Sequence, residues 1–341
     1  MKPINDVFSL LYEKKNIIIV PHKNPDADAL GSCLALSLFL QKKGHQTQII
    51  SPNIFPKFLH WLPDSNAILI AENQKNNLKE IFDQAEIIFC LDFNTLSRVE
   101  ILEPYIKNSK ATKVLIDHHL SPDEFEFVYS DTQIPATCQM IYHMIEMMGE
   151  ESMIDKEIAT CLYAGIIADT GNFRFSSVKP STHIVASKLI EKGISSSEIY
   201  SNLYEDTSLE KLNLLAEMIH KIEYLDEYNT AIIHLTKEEL LKFNYEKGDT
   251  EGFVNYGLML NNCIFSIALF EDLFQENTIK ISFRSKGNFD TNTFARNHFE
   301  GGGHLNASGG ISKIPMKETI KKIKTILAQY KNELQLNVKE K

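Results

Sequence analysis

A short loop near the N-terminus places an imidazole and two carboxylates close together in the sequence. It reads HKNPDADALGS, begins at His22, and contains Asp26 and Asp28. Two carboxylates that share a confined site repel each other, and one of them tends to take up a proton unless a cation is present. These residue types therefore favour a metal site. The alternative is a helix N-cap, in which Asp26 or Asp28 accepts backbone N–H groups and His22 is solvated.

More acidic residues and histidines follow two apolar segments that predict buried strands. Asp92 comes directly after EIIFCL, and Asp117, His118 and His119 come directly after KVLI. Ligands bind beyond the carboxyl ends of strands in open α/β sheets, so we expect these side chains to meet the first loop there. One polar residue at a strand end is ordinary turn chemistry. Together with the loop at His22, however, three strand ends carry histidine or aspartate, which favours a shared site. Neighbouring side chains of an extended chain diverge, so one histidine is the easier metal ligand and the other can face a substrate.

Asp169 ends the apolar helical segment ATCLYAGIIAD, and Gly171 lies two residues after it. A capping or turn residue is the alternative for Asp169, but beside the other acidic loops a ligand is the better interpretation. Six nitrogen and oxygen donors without a thiolate suit two divalent ions, with Mn²⁺ favoured and Mg²⁺ or Co²⁺ as the other candidates. Asp92, on a central strand, is the natural bridge between ions about 3.5 to 4 Å apart that activate water and hold a phosphoryl group. The predicted metal ligands are His22, Asp26, Asp28, Asp92, His118 and Asp169.

A second motif, GGGHLNASGG at 301–310, lies near the C-terminus. Glycines let backbone N–H groups approach an anion without interference from Cβ atoms, and His304 can contact a phosphate or stack on a base. Arg284 ends the strand candidate TIKISFRS, where a guanidinium can hold a phosphate through two hydrogen bonds. The alternatives are a flexible turn for the glycines and a surface position for the arginine. We predict that Arg284, Gly302, Gly303 and His304 bind substrate.

The first half of the chain alternates strand and helix patterns. NIIIV, TQIIS, EIIFCL and KVLI are β-rich, and apolar residues recur at helical spacing from about 29 to 43. Strands this apolar are typical of a parallel sheet that helices cover on both faces. We therefore predict an α/β fold with a mainly parallel sheet in the N-terminal domain.

From residue 155 to about 220 the pattern becomes helical, and a second β-containing unit follows. Its strand candidates are NTAIIHL, CIFSIALF and TIKISFRS, and an amphipathic helix is predicted at about 316–334. The chain of 341 residues is long enough for two domains. We predict a metal-binding domain at 1–190, a helical connector at 191–225 and a smaller α+β domain at 226–341.

Composition limits the class of protein. The formal net charge of -10 argues against a protein that coats nucleic acid nonspecifically, because such binding needs many lysine and arginine side chains to neutralise phosphates.

The sequence shows neither a signal peptide nor an apolar run that could span a membrane, so we expect a cytoplasmic protein without a membrane partner. We expect the cysteines to be reduced, because they lack CxxC spacing and four have apolar neighbours. They are Cys33, Cys90, Cys138, Cys161 and Cys263.

Together these motifs resemble those of the DHH phosphoesterase family, which is named for the run seen here at 117–119. The resemblance includes the HxxPDxDxxGS-like loop at His22, the strand-end Asp92 and the Asp-Thr-Gly sequence at Asp169, in the order of the family. The GGGH segment resembles the signature of the DHHA1 domain, which closes over the DHH site and binds substrate. The resemblance therefore covers nearly the whole chain and implies an active site in the cleft between the two domains.

The resemblance also implies a role for each residue. One metal would be held by His22, Asp26 and Asp92, and the other by Asp28, Asp92, His118 and Asp169. His119 would face the phosphate, and the catalytic residues would be Asp92 and His119.

A chain with DHH and DHHA1 domains and nothing else resembles the stand-alone group that acts as both oligoribonuclease and pAp phosphatase. The implied reaction is hydrolysis of short oligoribonucleotides to mononucleotides, or of 3′-phosphoadenosine 5′-phosphate (pAp) to AMP, by two-metal activation of water. A cyclic-di-AMP or pApA phosphodiesterase shares the motifs and is the alternative. A noncatalytic nucleotide-binding module would be expected to have a damaged ligand set, whereas all six positions are present. The expected partners are short RNA or small nucleotides rather than long duplexes, and a homodimer is compatible with the sequence.

Overall fold

The computed structural model describes residues 2–74, 77–205, 207–246 and 248–336. The chain divides into two compact units, Met1–Asp206 and Thr207–Lys341. Each unit contains its own β-sheet. The predicted combination of a mainly parallel sheet with a second, smaller α+β unit is confirmed.

The first unit is built on a seven-stranded sheet in which all neighbouring strands are parallel. Its strands are β1 (Lys2–Pro3), β2 (Asn16–Pro21), β3 (Gln46–Ser51), β4 (Leu69–Ile70), β5 (Ile87–Leu91), β6 (Thr112–Asp117) and β7 (Phe127–Ser130). Their order in the sheet is β1-β7-β6-β5-β2-β3-β4. From β2 the chain moves outward through β3 and β4, and it then returns to β5 on the other side of β2. The direction of winding therefore reverses between β2 and β5, which is where open α/β sheets bind ligands.

Helices cover both faces of this sheet. They are α1 (Asn5–Phe8), α2 (Ala27–Lys42), α3 (Leu78–Gln84), α4 (Glu103–Asn108), α5 (Thr137–Met147), α6 (Lys156–Asp169), α7 (Pro180–Ile190) and α8 (Ser196–Tyr204). Ile17 and Ile19 of β2 belong to the core shared with α2, α5 and α6. Ile18 and Val20 belong to the opposite core, shared with α3 and α4. Burial on both faces explains why the central strands are continuously apolar.

The four strands predicted in the first half correspond to β2, β3, β5 and β6, with bounds within about two residues. The predicted helix at 29–43 is α2, which begins earlier because Asp26 caps its N-terminus. Helix α5 was not predicted, and it proves central to the site described below.

The second unit contains a six-stranded sheet in which β9 and β10 are parallel and the other neighbours are antiparallel. Its strands are β8 (Glu223–Leu225), β9 (Thr230–Leu235), β10 (Phe265–Glu271), β11 (Ile279–Ser285), β12 (Glu300–Gly303) and β13 (Ala307–Ser312). Its helices are α9 (Leu209–His220), α10 (Lys237–Lys242), α11 (Thr291–His298), α12 (Met316–Leu327) and α13 (Lys331–Leu336). One core contains residues of α11, α12 and α13, and the other contains residues of α9 and α10. The order of strands in the sheet is β12-β13-β11-β10-β9-β8.

Two segments described in the sequence prediction each contain more than one helix. The segment predicted as a connector, 191–225, is shared between the units, because Ile199 of α8 is buried in the first core and Leu214 and Met218 of α9 are buried in the second unit. The helix predicted at 316–334 is interrupted by a short 3₁₀ segment, Ala328–Tyr330, that separates α12 from α13. Apolar residues therefore anchor each half of the connector in a different core.

Two expectations from composition concern cysteine and membranes. All five cysteines are free and buried, as expected for reduced thiols. Within the described part of the chain, every helix is too short or too polar to cross a lipid bilayer.

Candidate metal centre

The loop after β2 gives Asp26 two functions at once. Asp26 is the N-cap of α2, and its Oδ1 accepts the backbone N–H groups of Asp28 and Ala29, each at 3.0 Å. Its other oxygen, Oδ2, lies 3.9 Å from Nε2 of His22. The capping interpretation and the ligand interpretation of this residue are therefore compatible, because each uses a different oxygen.

His22 is held in a form suited to metal binding. Its Nδ1 lies 2.8 Å from the backbone carbonyl oxygen of Lys23, and since a carbonyl only accepts, Nδ1 carries the proton. This leaves Nε2 as the ring atom with a lone pair. Burial lowers the pKa of His22, which favours the neutral ring that a metal requires.

Asp92 lies at the point where the sheet changes its direction of winding. It follows β5 directly and has φ of +65°, a left-handed conformation that aspartate adopts more readily than most residues. Its Oδ2 lies 3.6 Å from Nε2 of His22, and its Oδ1 lies 3.3 Å from Nε2 of His118. Each carboxylate oxygen thus faces a different histidine, which is the arrangement expected of a bridging carboxylate.

The second group of predicted ligands surrounds His118. Its Nε2 lies 3.3 Å from Oδ2 of Asp169 and 4.0 Å from Oδ2 of Asp28. Ligand atoms of Asp28, His118 and Asp169 all lie within 4.8 Å of one another. The same holds for His22, Asp26 and Asp92. The structure therefore brings all six predicted ligands together as two adjoining triads.

The electrostatics of the two triads fit bound cations. Burial, with the charge of Asp169, raises the pKa of Asp28 to about 7. Burial and the charge of Asp28 raise the pKa of Asp92 well above its ordinary value. Burial lowers the pKa of His118, but the carboxylates of Asp169 and Asp92, each 3.3 Å from its Nε2, outweigh this effect and raise that pKa overall. Protons thus offset the buried negative charge, and divalent ions can replace them. Carboxylate and imidazole donors without thiolate suit borderline or hard divalent ions.

The N-terminus of α5 fixes two of the carboxylates. Asp28 is fully buried, and its two oxygens accept the backbone N–H groups of Thr137 at 2.6 Å and of Cys138 at 2.8 Å. The hydroxyl of Thr137 donates to Oδ1 of Asp92 at 2.9 Å. One residue therefore connects two predicted ligands that come from different elements.

Sequence analysis missed Thr137. The detectable signal was the helical spacing of Met140, Ile141, Met144 and Ile145, all of which are buried. A helix predicted there would have placed Thr137 in its first turn.

Two glycines allow α2 and α6 to approach each other closely. A Cβ atom on Gly31 would lie 2.5 Å from the carbonyl oxygen of Cys161. A Cβ atom on Gly165 would lie 2.3 Å from Sγ of Cys138 and 2.7 Å from Oδ1 of Asp28. The close packing of these helices keeps Asp28, on α2, near the C-terminal end of α6.

The rings of the two histidines after β6 lie close together, with centroids 4.8 Å apart in an edge-on arrangement, rather than diverging as expected from their adjacency. Whereas His118 faces Asp92 and Asp169, Nδ1 of His119 donates to Oδ1 of Asp117 at 2.6 Å. The backbone N–H of His119 also donates to Oδ2 of Asp117, at 3.1 Å. Asp117, which was given no role from the sequence, therefore orients the imidazole of His119 through both oxygens.

The predicted substrate-binding residues of the second unit lie on a hairpin and its neighbour. Gly302 and Gly303 belong to β12, the backbone N–H of His304 donates to the carbonyl oxygen of Ala307 at 2.7 Å, and Arg284 pairs with Ala307 across β11 and β13. Gly303 has φ of +150°, and a Cβ atom there would lie 2.5 Å from that same carbonyl oxygen. The alternative of a flexible turn is therefore wrong for 301–303, which form strand β12, and a Cβ atom on Gly301 or Gly303 would collide with β13. Substrate binding by these residues remains a prediction.

We expect Thr137→Val to lower the affinity for Mn²⁺ by about 10- to 100-fold, as loss of a hydrogen bond behind a metal ligand usually does. Valine keeps the shape of threonine and the backbone N–H that holds Asp28, so the effect isolates the bond to Asp92. Isothermal titration with MnCl₂ measures it. Thr137→Ser retains a hydroxyl and should restore most of the affinity, and equal losses in both variants would contradict a positioning role.

Comparison with known proteins agrees with this geometry. A family model described as the DHH family, N-terminal domain, matches residues 16–166. A solved structure of an exopolyphosphatase-related protein from Bacteroides fragilis is 39% identical, with a TM-score of 0.93 and coverage of 97% of each chain. The chain belongs to the DHH family. The part that matches the DHH model contains five of the predicted ligands, and Asp169 lies just beyond it.

Two curated relatives extend the similarity over most of the chain. The bifunctional oligoribonuclease and PAP phosphatase NrnA of Bacillus subtilis is 29% identical over 299 residues, which cover 86% of this chain and 88% of that protein. The cyclic-di-AMP phosphodiesterase GdpP of Bacillus subtilis is 26% identical over 340 residues, which cover 94% of this chain and 49% of that protein. The similarity to both relatives extends past the DHH model into the second unit.

Proposed function

We propose that this DHH-family protein is a metal-dependent phosphoesterase that hydrolyses short oligoribonucleotides to mononucleotides and pAp to AMP. The observation that carries the proposal is the pair of ligand triads that meet at Asp92, where the sheet reverses its winding. Similarity to NrnA over most of both chains supports the substrate class.

The ligand set favours two divalent ions, Mn²⁺ before Mg²⁺ or Co²⁺, because two imidazoles accompany four carboxylates. His22, Asp26 and Asp92 would hold one ion, and Asp28, Asp92, His118 and Asp169 would hold the other. When bound, such ions polarise a phosphoryl group and lower the pKa of water.

The residues of the chain then orient the reaction. The N–H groups of Thr137 and Cys138 fix both oxygens of Asp28, and the hydroxyl of Thr137 fixes Oδ1 of Asp92. Since Nδ1 of His119 is engaged by Asp117, Nε2 is the ring atom that would contact a phosphoryl oxygen. Arg284 and the GGGH segment would hold the rest of the nucleotide.

A cyclic-di-AMP or pApA phosphodiesterase is a second candidate, favoured by the similarity to GdpP over 94% of this chain. Both candidates use the same metal centre and differ only in the nucleotide that the second unit accepts. Substrate preference therefore separates them.

The test is a substrate panel with the full chain and MnCl₂. We expect the highest kcat/KM on pAp and on RNA of about two to five nucleotides, a length set by the size of a single-strand site. A longer RNA, cyclic di-AMP and pApA complete the panel, and protein treated with EDTA is the control. A preference for cyclic di-AMP or pApA would replace the first candidate with the second. No hydrolysis of any member by folded protein with Mn²⁺ would contradict both.

A further inference from the structure

The second unit contains a groove of about 310 Å³ to which the proposed function assigns no role. One side is lined by residues 296–300, which include the end of α11 and the start of β12. The other is lined by residues 311–314, which include the last two residues of β13 and the two that follow it. Lys322 of α12 also lines the groove. Three of the lining side chains are cationic: Arg296, Lys313 and Lys322.

The hydrogen-bond partners of these three cations are neutral. Lys322 Nζ donates to the backbone carbonyl of the last residue of α11 at 2.7 Å. Arg296 Nε donates to a side-chain amide oxygen at 2.9 Å, and Lys313 Nζ lies 3.4 Å from another. Across the residues that the structure describes, none of the three forms an ion pair with a carboxylate. Within the described part of the chain, no carboxylate therefore compensates their positive charge.

Four lysines of the same unit that lie outside the groove are each paired with a carboxylate. Ion pairs join Lys221 to Glu239, Lys280 to Asp272, Lys324 to Glu223 and Lys331 to Glu227. In a chain with a net charge of -10, three cations around one concavity that have no carboxylate partner among the described residues make a local site for anions. Glu300, which is exposed, is the one carboxylate among the lining residues given above.

The groove is continuous with the predicted substrate-binding strand. Nε of Arg296 lies 3.6 Å from the position that a Cβ atom on Gly302 would occupy, so its guanidinium lies beside the GGGH segment. Nζ of Lys322 lies 4.5 Å from the ring centroid of Phe299, which is buried, and this contact helps to hold the ammonium at the groove. An anion in the groove would thus adjoin a nucleotide on the GGGH segment.

We propose that this groove is a subsite for the phosphodiester groups of an oligoribonucleotide whose terminal nucleotide lies on the GGGH segment. The inference rests on the proposed function and deepens it, because it assigns residues that favour RNA longer than one nucleotide. Guanidinium and ammonium groups bind phosphates without reading the base, so the subsite selects for chain length rather than for sequence. The single nucleotide pAp would not reach it.

The test compares two triple variants of the full chain that change net charge equally. One is R296Q/K313Q/K322Q, and the control is K110Q/K317Q/K321Q, which removes exposed lysines that do not line the groove. Fluorescence anisotropy in EDTA gives the affinity for labelled pentaadenylate over a range of salt concentrations. Steady-state assays with Mn²⁺ give kcat/KM for pentaadenylate and for pAp, and melting temperatures confirm folding.

We expect the groove variant to bind pentaadenylate about tenfold more weakly, since each exposed charge contact contributes a few tenths to about 1 kcal/mol. The slope of log K against log salt should become shallower by about 2, because each contact with a single strand contributes about 0.7. Hydrolysis of pAp should change by less than about twofold, a difference that corresponds to under 0.5 kcal/mol. The control variant should match the wild type in all three measurements.

Three results would overturn the proposal. Unchanged affinity for pentaadenylate would show that RNA does not use the groove, and equal losses for pAp and pentaadenylate would assign the cations to the terminal nucleotide. The third result is that the groove variant binds inorganic tripolyphosphate more weakly than the wild type does but binds pentaadenylate equally well. The groove would then be a site for a free phosphate chain rather than for RNA. Because binding in EDTA requires no turnover, a wild-type protein that binds RNA through the groove but hydrolyses nothing would contradict the proposed function alone.

Discussion

Asp92→Asn is expected to lower kcat on pAp and short RNA by at least about 10³-fold. The two oxygens of Asp92 face His22 and His118, so asparagine keeps an oxygen donor on only one side of the bridge and places an amide NH₂ group, which does not bind a cation, on the other. The loss should exceed the 10- to 100-fold that an outer hydrogen-bond partner of a metal ligand contributes. Asparagine has nearly the same shape and also tolerates the left-handed conformation at φ +65°, so the fold should persist. Steady-state kinetics with saturating MnCl₂ measures the effect.

Asp64→Asn is the matched control for this experiment. Asp64 is also left-handed, with φ of +61°, but it is exposed and belongs to neither triad. The melting temperature supplies a second readout. Added Mn²⁺ should raise the melting temperature of the wild type and of Asp64→Asn, because a ligand that binds only the folded state stabilises it. For Asp92→Asn this rise should be small or absent, and activity that survived the change would refute the two-metal assignment.

Gly165→Ala is expected to lower both stability and metal affinity. The added methyl group would lie 2.3 Å from Sγ of Cys138 and 2.9 Å from Cα of Asp28, so α2, α5 and α6 cannot all keep their positions. Overpacking of this kind usually costs about 1 to 3 kcal/mol, and alanine's higher helix propensity offsets only about 1 kcal/mol of it. Because the displaced residue is a predicted ligand, Mn²⁺ affinity should fall as well. Denaturant unfolding and titration with MnCl₂ measure the two effects.

A double variant identifies the cause of this destabilisation. Cys138→Ala alone removes the sulfur atom that would be closest to the new methyl group, while its backbone N–H still donates to Asp28. Cys138→Ala/Gly165→Ala should therefore be more stable than the sum of the two single changes predicts. Strict additivity would show that the steric conflict between α5 and α6 is not the source of the loss.

The central strands could be predicted from sequence because their burial is a property of local composition. A strand covered on both faces is apolar at every position, and β2 and β5 have this pattern. The residue that follows each strand is polar, so His22 and Asp92 could be placed at one edge of the sheet. The residue types then determined the class of chemistry, because carboxylates and imidazoles at one edge fit divalent ions.

The start of helix α5 could not be predicted in the same way, and the reason is physical. Its N-cap is Ala136, which makes no side-chain capping hydrogen bond, so the usual polar signal at the start of a helix is missing. The first N–H groups of α5 instead donate to Asp28, a residue more than 100 positions earlier in the sequence. A distant carboxylate thus replaces the local cap, and only the folded chain brings the two together.

Other features of the site also depend on contacts between distant segments. Glycines at 301–303 suggest a turn by their type, yet they form a strand that pairs with β13. Glycine is needed at two of these positions because β13 lies too close to admit a Cβ atom there. Asp117 is adjacent to the predicted histidines, but its role depends on the direction of the imidazole of His119. Residue type and spacing by themselves determined which groups reach the edge of the sheet. Tertiary structure decided which oxygen faces which histidine and which backbone groups hold them, because hydrogen bonds between distant segments form only after the chain has folded.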